Sequence, residues 1–205
     1  MVDPALREQF EIIGRDLFVS RLISSHGGNL SVRDGDRIII TRTGSQLGHL
    51  GADDLVEVSL SEPSEADTHA SCELVVHRAI YKARQEKWGE EVGAIVHAHS
   101  PQTTVRSFLD EVIEPLDSEA QLMIPHVEVV SAAKTIGSSE AGEVLAIALS
   151  ESRDPNAIAV LRGHGPFAYG SSLEDAYRSV SILEHSSILI NQLQTMGAAQ
   201  TVSPV

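Results

Sequence analysis

Two short apolar runs constrain the fold more than anything else in the chain: Val92-Gly93-Ala94-Ile95-Val96 and Ala157-Ile158-Ala159-Val160-Leu161. Each has the length of a strand rather than a helix, and each is apolar at successive positions, which is the pattern of a buried strand. Around them the hydrophobic period becomes helical. Leu6, Phe10, Ile13, Leu17, Val19 and Leu22 recur at helical spacing over residues 5–22. Leu74, Val75, Ala79, Ile80 and Ala83 mark one face of a second helix, with Ser71 in position to cap its N-terminus. Further helices are predicted at 101–109, 139–149 and 172–196. Short β-prone segments at 30–32 and 37–41 flank Asp34-Gly35-Asp36, a hairpin signal, and others lie at 55–60 and 125–130. Helices alternating with short strands, plus one hairpin, make a sheet covered by helices on both faces the economical architecture. A chain of 205 residues is large enough to bury such a core as one domain spanning 1–205.

Charge narrows the function. A formal net charge of -14 argues against nucleic acid or an anionic membrane surface as a partner, since both are gripped by clustered Lys and Arg. No apolar run approaches the ~20 residues needed to cross a bilayer. One cysteine, Cys72, leaves no partner for an internal disulfide, and no basic, apolar leader opens the sequence, so a cytoplasmic location is expected.

Both apolar runs end in histidine. In Val96-His97-Ala98-His99-Ser100 an extended backbone places His97 and His99 on the same side, aimed at one target. Two neutral imidazoles sharing a target suggest a metal ion, and the plain alternative is a pair of surface histidines at a strand end. His164, in Arg162-Gly163-His164-Gly165-Pro166, follows the second run, and two strand ends can converge. Its flanking glycines permit close approach and unusual backbone angles. Glu73 is a fourth candidate, at a helix start where the dipole favours a carboxylate in any case. His77, four residues on, shares its helix face and is expected to support it by hydrogen bonding more than by ligation. His26, His49, His69, His126 and His185 lack comparable context and are expected to be structural or exposed.

Three imidazoles and one carboxylate describe a catalytic zinc site, in which a substrate oxygen can enter and a displaced carboxylate becomes a base beside the metal. That combination suits proton transfer next to a carbonyl. Small, hydroxyl-rich and glycine-rich loops at Ser24-Ser25-His26-Gly27-Gly28-Asn29 and Thr41-Arg42-Thr43-Gly44-Ser45, with Ser71-Cys72, offer N–H and O–H groups of the kind that cradle phosphates.

In order, Gly28-Asn29-Leu30-Ser31-Val32-Arg33, Thr41-Arg42-Thr43-Gly44, Ser71-Cys72-Glu73 with His77, Val96-His97-Ala98-His99-Ser100 and Gly163-His164-Gly165 resemble the class II aldolase and adducin family over about residues 5–197. Within it the likeness is nearest to the aldolases of L-fuculose 1-phosphate. The resemblance implies a three-layer α/β/α domain with a mainly antiparallel central sheet, in a homotetramer whose active sites lie between subunits. It implies that His97, His99, His164 and Glu73 hold Zn2+, or Mn2+ or Co2+ in its place, and that Glu73 is also the catalytic acid/base. Gly28, Asn29, Thr43, Gly44, Ser71 and Cys72 fall on its phosphate-binding positions. Cys72 stands where a second serine is usual, and Arg42 where proline is usual. The implied reaction is reversible cleavage of a ketose 1-phosphate to dihydroxyacetone phosphate and an aldehyde. The tyrosine that handles the C4 hydroxyl proton has no match, and Asp117 or Glu119 is the nearest substitute. Dehydration or epimerisation of a related pentulose phosphate is the alternative, followed by a non-catalytic adducin-like module. Epimerases tend to carry aspartate in place of Glu73.

Overall fold

The computed structural model describes residues 2–151, 153 and 157–197. Its elements in chain order are α1 (Pro4–Val19), β1 (Asn29–Asp34), β2 (Arg37–Thr41), β3 (Leu55–Ser59), α2 (Leu74–Trp88), β4 (Val92–His97), α3 (Pro101–Ser107), β5 (Val112–Ile113), α4 (Ser118–Met123), β6 (Val127–Val130), α5 (Ser139–Ser150), β7 (Ile158–Leu161), β8 (Gly165–Gly170) and α6 (Leu173–Thr195). The strands form one sheet in the order β3-β2-β1-β4-β8-β7-β6-β5.

Side-chain alternation along the strands builds two cores. Ile39, Ala94, Val96, Val160 and Ala168 face a cluster with Phe10, Leu17, Val180 and Leu183 of α1 and α6. Ile38, Ile40, Ile95, Ala159, Leu161 and Phe167 face the other side, where Val76 and Ile80 of α2 and Leu145 and Leu149 of α5 cover them. The expected helix-covered sheet is therefore present, and one strand pair departs from the antiparallel pattern. The sheet is mixed: β6 and β7 pair in parallel, while the other pairings among the described residues are antiparallel. The reason is the connection, because α5 carries the chain from the end of β6 back to the start of β7, the crossover that a parallel pair requires.

Two local expectations also change. The first helix stops at Val19, short of Leu22, because the chain turns through a left-handed Arg21 at φ 58°. Leu22 N–H then donates to Leu17 C=O at 2.9 Å and Arg21 N–H to Phe18 C=O at 3.1 Å, closing a Schellman turn that still buries Leu22. Glycine tolerates that backbone without the Cβ penalty, so Arg21→Gly is expected to raise stability by up to ~1 kcal/mol, seen as a Tm higher by about 2–4 °C. A lowered Tm would show that the arginine side chain contributes more than its backbone costs. Ser71, for its part, does not cap α2. Glu73 occupies the N-cap position without a capping side-chain bond, and Ser71 Oγ instead accepts from Glu73 N–H at 3.3 Å. The Glu73 carboxylate is drawn away from its own helix by the partners described below. Among the described residues no helix is long and apolar enough to cross a membrane.

Candidate active site

Topology brings the histidines together. β4 lies between β1 and β8, with Asn29 paired to His97 on one side and Phe167 on the other. β7 turns into β8 through Arg162-Gly163-His164, so this turn sits beside the end of β4. His97 is the last residue of β4 and His99 follows two positions later. The result is a cluster in which one ring nitrogen from each of His97, His99 and His164 lies within 4.8 Å of the others. His97 and His164 are stacked with centroids 4.7 Å apart, and Phe167 stacks on His97 at 3.9 Å.

Glycine makes the close approach possible. Gly165 adopts φ +143°, and a Cβ there would clash with the carbonyl oxygen of Ala98. Gly28, at φ +77°, would place a Cβ 2.7 Å from the His97 carbonyl oxygen. Both glycines let a neighbouring loop lie flat against the strand that carries the imidazoles.

Glu73 reaches this cluster from the start of α2 and is 3% exposed. Its Oε1 accepts from His164 Nε2 at 3.1 Å, and its Oε2 accepts from Asn29 Nδ2 at 2.8 Å. Burial alone would push this carboxyl up. An imidazolium at His97 would draw it down, and with that ring neutral the hydrogen bonds from His164 and Asn29 remain to favour the ionised form, so the carboxyl lies well below the usual carboxylate range. Burial pushes the fully enclosed His97 down to about 3, and it also lowers His99, helped by the neighbouring His164.

His97 supplies the test of whether these residues suit a cation. Its Nδ1 donates to the Pro166 carbonyl oxygen at 3.0 Å, so in the neutral ring Nε2 carries the lone pair. Nε2 is buried without a hydrogen-bond partner among the described residues, yet it lies 3.2 Å from Glu73 Oε2. The ionised oxygen and the bare nitrogen are thus neighbours with no proton to join them. A bound cation turns that repulsion into attraction, and the donor set of imidazoles and one carboxylate suits zinc or a similar divalent ion. Metal capture would also displace the proton that His164 shares with Glu73.

The anion-binding candidates gather next to the cluster. Gly28, Asn29, Thr43, Gly44, Ser71 and Cys72 line one pocket with Glu73, His99 and His164. Asn29 has both ends of its carboxamide occupied, by Glu73 and by His77 Nε2 at 2.5 Å. His77 lies fully buried behind Asn29. Asp117 instead caps α4 through the Ala120 N–H, and neither it nor Glu119 lines this pocket. Arg42, Ser45, His26 and Ile136 also line the pocket. Sequence reasoning misses His26 as a pocket residue, although its place just before Gly27-Gly28-Asn29 is an available signal.

A helix-covered mixed sheet thus carries, at the end of β4, a convergent cluster of three imidazoles that could hold a metal ion, with the Glu73 carboxylate against it. Comparison with known proteins places the chain. Residues 9–189 match the family described as Class II Aldolase and Adducin N-terminal domain, and the chain belongs to that family. It is an aldolase-type enzyme of the lyase class. The L-fuculose phosphate aldolase of Methanocaldococcus jannaschii is 32% identical over 183 residues, covering 89% of this chain and 94% of the relative. The crystal structure of L-fuculose-1-phosphate aldolase from Thermus thermophilus superposes with a TM-score of 0.84 at 36% identity, covering 96% of this chain and 98% of the other. A 3-oxo-tetronate 4-phosphate decarboxylase of Haemophilus influenzae is 31% identical over 200 residues, covering 95% and 90% of the two chains.

Proposed function

We propose that the chain is a single-domain, zinc-dependent aldolase that reversibly cleaves a ketose 1-phosphate of the L-fuculose 1-phosphate type into dihydroxyacetone phosphate and an aldehyde. The observation that carries this reading is the bare His97 Nε2 facing the ionised Glu73 Oε2 at 3.2 Å inside a cluster of three imidazoles. The similarity to L-fuculose phosphate aldolases supports the substrate class. The reading includes a homotetramer in the cytoplasm with active sites between subunits.

His97, His99 and His164 hold the metal, with Glu73 as a fourth, displaceable ligand. A divalent ion there supplies Lewis-acid polarisation of the substrate carbonyl. Glu73 does the proton work. As the C3–C4 bond breaks, C4 becomes the aldehyde carbon and its hydroxyl gives up its proton to the ionised Glu73, directly or through water. The bond's electrons pass toward C2, and Glu73 delivers the proton to C3 to complete dihydroxyacetone phosphate. In the synthetic direction the same carboxylate removes that proton. Gly28, Asn29, Thr43, Gly44, Ser71 and Cys72 form the wall that receives the phosphate, through backbone N–H groups as well as hydroxyls. The Cys72 thiol is a weaker donor than the serine usual at that position.

The 31% identity to a 3-oxo-tetronate 4-phosphate decarboxylase gives a second reading some ground. Loss of CO2 from such a substrate leaves the same three-carbon ketose phosphate and asks for a proton at the equivalent carbon, so the two reactions share their proton carrier. Purified enzyme offered L-fuculose 1-phosphate, 3-oxo-tetronate 4-phosphate, methylthioribulose 1-phosphate and ribulose 5-phosphate separates the possibilities. Dihydroxyacetone phosphate and a hydroxyaldehyde from the first substrate are expected. Dihydroxyacetone phosphate with CO2 from the second alone would favour decarboxylation, and none from any ketose 1-phosphate would defeat the aldolase reading.

A further inference from the structure

A single file of hydrogen bonds runs from Glu73 into the protein between α2 and β1. Asn29 Nδ2 lies 2.8 Å from Glu73 Oε2, and Asn29 Oδ1 lies 2.5 Å from His77 Nε2. His77 Nδ1 lies 2.6 Å from Ser31 Oγ, which lies 2.8 Å from the Tyr81 hydroxyl. All five residues are buried. Their spacing explains the file: Glu73, His77 and Tyr81 recur every four residues on α2, while Asn29 and Ser31 alternate on one face of β1. The proposed reaction makes no direct use of His77, Ser31 or Tyr81.

The carboxylate end fixes every proton in the file. An ionised carboxylate only accepts, so the NH2 end of Asn29 faces Glu73 and its Oδ1 faces inward. Oδ1 also only accepts, so His77 Nε2 carries the hydrogen. Burial pushes His77 down to about 4, leaving a neutral ring whose Nδ1 must accept. The Ser31 hydroxyl therefore donates to Nδ1, and the Tyr81 hydroxyl donates to Ser31 Oγ. All donors point toward Glu73, and such aligned bonds polarise one another.

We propose that His77, Ser31 and Tyr81 are positioning residues that lock the Asn29 carboxamide in one orientation, tethering Glu73 Oε2 and leaving Oε1 as the oxygen that exchanges the proton with substrate. A flipped Asn29 would set its Oδ1 against Glu73 Oε2, two acceptors face to face. The His77 Nε2–H is what makes the correct orientation the favourable one. The proposal rests on the reading of Glu73 as the proton carrier, and it names the residues that make this carboxylate competent.

The test uses metal-loaded, full-length protein with 15N-labelled histidine. Long-range 1H–15N spectra report which ring nitrogen carries hydrogen, and His77 is assigned by signals lost in His77→Gln or by its contacts to the Phe167 ring. Nε2 protonated with Nδ1 bare is the expected pattern in the wild type. In Ser31→Ala and Tyr81→Phe the Nδ1 resonance is expected to shift. In Ser31→Ala kcat is expected to fall about tenfold, with KM and metal content per chain unchanged. A wild-type His77 protonated at Nδ1, or at both nitrogens, would overturn the proposal, and so would a Ser31→Ala kcat within twofold of wild type. The tautomer is read without substrate, so failure of the aldolase reading would appear separately, as wild-type protein that makes no dihydroxyacetone phosphate.

Discussion

Replacing His99 by alanine is expected to remove the metal and with it at least a ~1000-fold share of turnover. That figure follows from the several kcal/mol that Lewis-acid stabilisation contributes, at about 1.4 kcal/mol per factor of ten. His99 is the informative choice because it is only partly buried, whereas His97 is wholly enclosed and stacked on Phe167. Removing the His99 ring leaves that stack and the hydrogen bond of His97 to the Pro166 carbonyl in place, so the fold is expected to survive. Elemental analysis of purified protein checks the first half of the expectation, from about one divalent ion per chain to well under a tenth. Circular dichroism checks that folding is retained, and dihydroxyacetone phosphate release checks turnover. A His99→Ala protein that keeps its metal and its activity would remove His99 from the ligand set.

Glu73→Gln separates proton transfer from metal binding. Glutamine matches glutamate in size and can still accept from Asn29, but it cannot carry a proton between carbon and solvent. Positioned acid–base catalysis contributes about 100- to 10000-fold, so turnover is expected to fall roughly 1000-fold while three imidazoles keep the ion. Exchange of the carbon-bound hydrogen of dihydroxyacetone phosphate with deuterated solvent isolates the step and requires no knowledge of the aldehyde. That exchange is expected to collapse in step with turnover. Exchange within tenfold of wild type would move the proton-carrying role to another group.

The fold is legible in the sequence where local pattern decides it. Helical spacing locates α2, α5 and α6, the run Arg37–Thr41 gives β2, and Ser172 accepts from Asp175 N–H as the cap of α6. β8 is not legible. Gly-Pro-Phe-Ala-Tyr-Gly is bounded by turn formers and holds only two large apolar residues, so it reads locally as the continuation of a loop. It becomes a strand because β4 and β7 offer it hydrogen-bonding edges on both sides, a long-range effect that no local window contains. Missing β8 also hides Phe167, the ring against which His97 rests. At the site, the i, i+2 spacing of His97 and His99 is enough to aim both rings at one place. The four-residue spacing of Glu73 and His77 is legible too, but the link between them passes through Asn29 on another element. A side chain that the sequence presents as a phosphate contact is also the bridge.

The placement of β8 also sets when the site can come into being. The Pro166 carbonyl that holds the His97 ring lies 69 positions further along the chain, and β8 joins the sheet only after that long loop has closed. A growing polypeptide therefore carries two imidazoles at the end of β4 well before the third arrives. An ion held by all three imidazoles, as proposed, would thus be captured only after the last strand is inserted between its neighbours.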